Sequence, residues 1–114
     1  MNILQRKSRA WAKLKRRTHN RLAALLLQLP KWRFQPSRRG SSWEATIKIQ
    51  RRDLRRHLAD SPSLKSKLPE AIADAYGNAI IGAEAETGVA ESTFPADCPW
   101  SFEQMMADDF WPEA

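Results

Sequence analysis

Much of what usually announces a function is scarce in this chain of 114 residues. A single cysteine, Cys98, excludes an internal disulfide framework and fits a reducing compartment, which points to the cytoplasm. Two histidines, His19 and His57, sit on different helices, and nothing in the sequence argues that they converge with Cys98, so no metal site is expected. The four glycines are dispersed, and no loop for cradling phosphate can be built from them. The longest apolar run, Leu22 to Leu29, is interrupted by Gln28, so no membrane span is expected. Strand-like alternation, hairpin signals and internal repeats are missing too. A Cys–His nucleophile pair is geometrically conceivable, but Pro99 and Trp100 suit Cys98 to packing. No catalytic constellation or cofactor site is read, and the chain is expected not to be an enzyme.

The least even feature is charge. No acid precedes Glu44; residues 1–57 carry seventeen Lys/Arg against two acids, and residues 58–114 two lysines against eleven acids. The net +6 therefore hides a basic half and an acidic half, which are expected to pack together and neutralise one another. A basic N-terminus rich in Arg and Lys can imitate a transit peptide or a membrane-surface helix, but it runs straight into a helix that reads as structural.

What is present reads as helix. Trp11, Leu14, Leu22, Leu25 and Leu29 recur at helical steps, with Thr18 filling the gap, and Pro30 is expected to end this first helix. Residues 1–20 read as a basic helical extension with a poor apolar stripe in its first two turns, and residues 21–114 as a single helical domain. Gln35 to Ser42 reads as a loop in which Arg38 and Arg39 cannot be buried. Ser42 then reads as an N-cap with Glu44 in the first turn. In the second helix Trp43, Ile47, Leu54 and Leu58 share a narrow arc, with Gln50 inside it and Ile49 opposite. Lys48, Arg51, Arg52, Arg55 and Arg56 are assigned to the outer face.

Ser61-Pro62-Ser63 signals a restart, with a short turn over 62–67 before a helix from Leu68 to Thr87. Its stripe is Leu68, Ile72, Tyr76, Ala79, Ile80 and Ala83, and Gly88 is the expected left-handed stop. Glu84 and Glu86 near that helix's C-terminus call for a basic neighbour. Phe94-Pro95 and Cys98-Pro99-Trp100 should pin the following loop to the core. Ser101-Phe102-Glu103-Gln104 has the pattern of a capping box for a short helix over 102–107. The fold class is all-α: a small bundle of three main helices with short helical turns and a C-terminal loop pinned by proline and aromatic residues.

Several rare combinations occur in order: LLLQLPKWRFQP, SSWEATIKIQRR, DSPSLK, AYGNAI, ETGV, TFPADCPWSFEQMM and DDFWPE. Over about residues 21–114 they resemble the bacterial domain-of-unknown-function family 29. That resemblance implies an all-helical fold with no assigned activity, catalytic residue or cofactor. It also implies further glutamate-rich helices ahead of the segment corresponding to Leu22–Pro36, so the chain resembles a shortened member.

If such helices are missing, the Trp11–Leu29 stripe lacks a cover, and self-association through residues 4–29 or an acidic protein partner follows. The expected function is thus a non-enzymatic helical interaction module. Its contact surface is assigned to Arg38, Arg39, Arg51, Arg52, Arg55, Arg56 and Trp32. Trp43, Gln50, Leu54, Tyr76, Phe94 and Trp100 are assigned to the fold, as is Trp32 in its packing role. The alternative is nucleic-acid binding without sequence preference, with the same arginines on phosphates and Trp32 or Phe34 stacking on bases.

Overall fold

The computed structural model describes residues 3–112, with side chains described from residue 9. Four helices follow in order: α1 (Ile3–Phe34), α2 (Ser41–Asp60), α3 (Leu68–Thr87) and the short α4 (Phe102–Met106). Single 3-10 turns at Pro36–Arg38, Pro62–Lys67 and Glu91–Thr93 join them, and there is no strand among the described residues. The all-α bundle expected from the stripes is what forms.

The stripes close a core without help from outside the chain. Leu22, Leu25, Leu26 and Leu29 of α1 are fully buried against Ile47 and Leu54 of α2 and against Ala75, Tyr76, Ala79 and Ala83 of α3. Alanines on α3 let it approach α1 closely, and at Gly82 an added Cβ would lie 3.3 Å from Leu27 Cδ1. The uncovered stripe expected on α1 is thus confined to its N-terminal part, where Trp11 and Leu14 remain half-buried. Of the large apolar side chains described, Ile49 and Ile81 stay exposed, at 55% and 54%, Ile49 lying opposite the apolar arc of α2.

Pro30 does not end α1, which continues one further turn to Phe34. A helix-interior proline loses one hydrogen bond and crowds the preceding turn, which costs about 3 kcal/mol. Tertiary contacts hold that last turn in place nonetheless. Pro30 is itself fully buried, Trp32 stacks at 4.7 Å on Trp111, and Phe34 meets Phe94 edge-on at 5.0 Å. The residues past the proline are those that close the aromatic end of the core.

At the next boundary Ser42 is not the cap. Gly40 occupies the N-cap position without a side-chain cap bond, and Ser42 lies within the first turn, its carbonyl accepting from Thr46 Oγ1. Glu44 is in the first turn as expected and pairs with Lys48. The 62–67 turn and the bounds of α3 are as read from the sequence. So is the capping box, in which Ser101 Oγ accepts from the Gln104 N–H and Gln104 Oε1 from the Ser101 N–H.

Two glycines of α3 make a paired prediction. Gly88 closes the helix at φ 76°, where an L side chain is strained, so Gly88→Ala should cost about 1 kcal/mol. Gly77 lies mid-helix with nothing within 4 Å of an added Cβ, so Gly77→Ala should gain about 0.5–1 kcal/mol. Urea midpoints of the two variants, moving in opposite directions, check both.

Candidate functional site

The expected contact surface divides once its side chains are placed. Arg51, assigned to the outer face of α2, is fully buried at 0% exposure. Its Nε donates to the Met105 carbonyl at 2.7 Å and one Nη2 to the Phe110 carbonyl at 2.6 Å. The guanidinium carbon lies 5.2 Å from the centre of the Trp111 ring, while Nη1 has no hydrogen-bond partner among the described residues. Burial pulls its pKa below the ordinary arginine value, and the nearby Asp108 opposes the shift.

Arg55 acts beside it. It donates to the Met106 carbonyl and to Asp108 Oδ1, both at 2.6 Å. That bond holds the exposed Asp108 carboxyl below its usual pKa. Arg39, expected to be unburied in its loop, is partly covered. Its Nε donates to the Trp32 carbonyl at 2.6 Å and its Nη2 reaches the Pro112 carbonyl at 3.4 Å, with the guanidinium 5.3 Å from the Trp32 ring centre. Trp32 itself is sandwiched in packing with Trp111.

The physical reason is common to all three arginines. A five-residue helix leaves its last carbonyls without intrahelical donors, and cationic side chains satisfy such carbonyls best. Arg51 and Arg55 therefore fasten the end of α4, and Arg39 the residues after it, to α2 and the end of α1. Of the residues assigned to a partner, Arg38, Arg52, Arg55 and Arg56 are exposed on the surface. Trp32, Arg39, Arg51 and Arg55 are engaged in holding the C-terminal segment.

The expected neutralisation between halves takes the same unexpected form. Of four ion pairs among the described residues, two join the halves: Lys31–Glu86 at 2.6 Å and Arg55–Asp108 at 2.6 Å. The first meets the expectation of a basic neighbour at the end of α3. Lys31 is nearly buried, and its Nζ also lies 4.8 Å from the centre of the Trp43 ring. Trp43 is thus a half-exposed platform under a lysine and not part of the buried core. Elsewhere it is mostly backbone carbonyls of the acidic half, not its carboxylates, that receive the arginines.

The titratable residues singled out for chemistry lie apart. The Thr18 hydroxyl donates to the Leu14 carbonyl at 2.8 Å, so its oxygen accepts from His57 Nε2, also at 2.8 Å. Burial, then Arg21 and Arg17, keep the His57 pKa below the ordinary imidazole value. His19 lies on α1 against Asn78. Cys98 points its thiol at the Trp100 carbonyl at 3.5 Å, and burial pushes its pKa up. No group of three His, Cys, Asp or Glu side chains among the described residues is placed to hold a metal ion.

Two surface features were not read from the sequence. An open groove of about 840 Å³ runs between the start of α3 and α4, walled by Leu68, Ile72, Trp100, Phe102 and Met106, with Lys65 and Glu103 on its rim. Its signal was Trp100 and Phe102 flanking the cap serine, of which Trp100 reads as pinning a loop to the core and Phe102 as part of the capping box. The second feature is length. At 1.5 Å per residue α1 spans about 48 Å and α2 and α3 about 30 Å each, so α1 outruns both. The long axis of the molecule is 53 Å against 27 and 21 Å for the others. Along the first half of α1, Arg9, Lys13, Arg16 and Arg17 are exposed and enter no ion pair among the described residues, Arg16 lining a cleft with the start of α3 and Arg17 one with α2.

An all-helical body with no strand among the described residues, with Arg39, Arg51 and Arg55 turned onto a proline- and aromatic-rich C-terminal segment, makes a small helical domain. The chain belongs to the family described as domain of unknown function DUF29, whose model matches residues 10–111. The match thus begins about eleven residues before the segment that the motifs marked, and takes in most of the basic first half of α1. No curated protein and no solved structure matches the chain. None of the described helices is long and apolar enough to cross a membrane.

Proposed function

We propose that this chain is a non-enzymatic helical module of the cytoplasm whose work is to bind another protein. The observation that carries the reading is the open apolar groove beside α3 and α4. Leu68, Ile72, Trp100, Phe102 and Met106 line it, in a molecule that has otherwise covered its apolar stripes. Aromatic and methionine side chains in a concave surface are the composition of interface centres. The single thiol and the titratable groups engaged in packing bonds fit a binding role better than a catalytic one.

The test is retention of proteins on the immobilised full chain, comparing the parent with Ile72→Ser and Phe102→Ser. Both residues are half-exposed, so the fold should persist in each variant. The expected result is a protein retained by the parent and lost from both variants at unchanged circular dichroism. Retention identical across all three would sink the reading.

The exposed cations on α1 and α2 favour a second reading, binding to a nucleic-acid backbone. That reading rests on Arg38, Arg52 and Arg56 of the original set, joined by Arg9, Lys13, Arg16 and Arg17. It requires oligonucleotide affinity to fall with salt by a log–log slope of about −0.9 for every phosphate contacted. No binding at low salt removes it.

A further inference from the structure

We propose that the cleft between α1 and α2, walled by Arg17, Arg21, Arg56 and His57, binds a phosphate-like dianion, either a free oxyanion or the terminal phosphate of a small molecule. The cleft offers about 310 Å³, the lower end for a small-ligand site. It shares no lining residue with the apolar groove, so it stands or falls apart from the protein-binding reading.

Composition and spacing point to it first. All six residues lining the cleft are ionisable, the four named together with Asp53 and Asp60. Arg17 and Arg21 stand one turn apart on α1, and Asp53, Arg56 and Asp60 recur at one-turn steps on α2. The guanidinium groups therefore come from both walls. Like charges at such spacing repel, and the carboxylates nearby do not answer them. Arg21 meets Asp53 at 3.8 Å, with both side chains 40% exposed, and Arg17, Arg56 and Asp60 enter no ion pair among the described residues. Three guanidinium groups against two carboxylates leave the cleft positive. Planar donors on its two sides suit the several oxygens of one anion.

The histidine is the second observation. Thr18 is buried, gives its hydroxyl proton to the Leu14 carbonyl, and so accepts the His57 Nε2 proton at 2.8 Å. The neutral ring then carries no proton on Nδ1. Arg17 and Arg21 face it from α1, and Asp53, Arg56 and Asp60 share the cleft from α2. After burial, Arg21 and Arg17 do most to lower the ring's pKa, and Asp60 opposes them less strongly. The cations thus outweigh the carboxylates at this ring. A bound dianion reverses that field, and His57 should take up a proton as the anion enters.

Calorimetric titration of the full chain with sulfate and with inorganic phosphate, at fixed low ionic strength, tests the site. Saturable binding with dissociation at about 1 mM is expected. Arg17→Gln and Arg56→Gln, both at exposed positions, should each weaken it at least about tenfold, the effect of one charge-assisted bond. Lys48→Gln removes an equal charge outside the cleft and should change affinity by less than about twofold. Sulfate keeps both charges between about pH 5 and 7, so its affinity should rise as pH falls through the titration of His57. His57→Gln, whose amide can still donate to Thr18, should flatten that rise. Glycerol phosphate bound as well as inorganic phosphate assigns the site to a terminal phosphate group; refusal of the ester assigns it to the free anion.

Failure of both anions to saturate the chain overturns the proposal. So does binding that Lys48→Gln weakens as much as the cleft variants do, or a pH dependence for sulfate that His57→Gln retains. An oligonucleotide without terminal phosphates that binds where both dianions fail overturns it too, and passes Arg17 and Arg56 to the nucleic-acid reading.

Discussion

Arg51→Ala is expected to destabilise the fold by about 3–5 kcal/mol, a large part of the stability of a domain this size. The substitution removes a fully buried guanidinium that donates to two backbone carbonyls, those of Met105 and Phe110, and that packs over Trp111. Each bond from a charged donor contributes about 1.5–3 kcal/mol, and the carbonyls left behind would be buried without donors. Loss of the stacked side chain opens a void besides.

Arg51→Lys should recover about half of the loss, because an ammonium on a flexible stem reaches one carbonyl but does not bridge two. Arg55→Ala, at a residue exposed to solvent, should cost at most about 1 kcal/mol. Urea denaturation of the three variants gives the ranking. A loss below about 1 kcal/mol for Arg51→Ala would mean that the C-terminal segment is held by its aromatic side chains and not by the guanidinium.

The second large effect is alkaline. Tyr76 is 2% exposed and its hydroxyl donates to the Pro95 carbonyl at 2.7 Å. Burial, and next the Cys98 thiol nearby, push its pKa up to about 12 from the ordinary value of 10.0. Between those two values the unfolded chain has lost the phenolic proton and the folded chain keeps it. The unfolded state then binds fewer protons, so stability falls as pH rises.

The contribution is fully present below pH 10 and is lost by about pH 12, for a total of roughly 3 kcal/mol. Tyr76→Phe should cost about 1 kcal/mol at neutral pH by losing the bond to Pro95. It should also flatten the decline of stability between pH 10 and 12. Every other ionisable group is common to both proteins, so the difference between the two pH profiles isolates the tyrosine. Parallel profiles would refute the assignment.

Local signals in the sequence were enough wherever backbone chemistry alone decides. Pro62 opens a helical turn, Gly88 stops α3 and the Ser101/Gln104 box starts α4, and each of these acts within one turn of itself. Pro30 is different, because what carries α1 beyond it comes from Trp111 and Phe94, distant in the chain. No local pattern reports a partner some sixty to eighty residues away.

Arg51 shows another kind of failure. At 100° per residue it lies about 20° beyond the arc formed by Ile47, Leu54 and Leu58, so periodicity places it on the border of the buried face and not on the outer face. Its charge argued for the outside, and charge gave way because three carbonyls near the end of α4 needed donors. A basic residue bordering an apolar stripe is a signal of buried backbone elsewhere, and it was there to be seen. The groove had no such signal, since Trp100 and Phe102 read equally well as core or as wall.

The way Arg51, Arg55 and Arg39 hold the C-terminal segment also bears on acid. A carboxylate fastening an arginine is disarmed when it takes up a proton, whereas a peptide carbonyl has no proton to gain in that range. Of the attachments to the last eight described residues, the bond to Asp108 is the one that acid can switch off. The bonds to Met105, Met106, Phe110 and Pro112 are blind to pH. The acidic half of this protein is joined to the basic half by its least acidic oxygens, and the seam should outlast the ion pairs around it as pH falls.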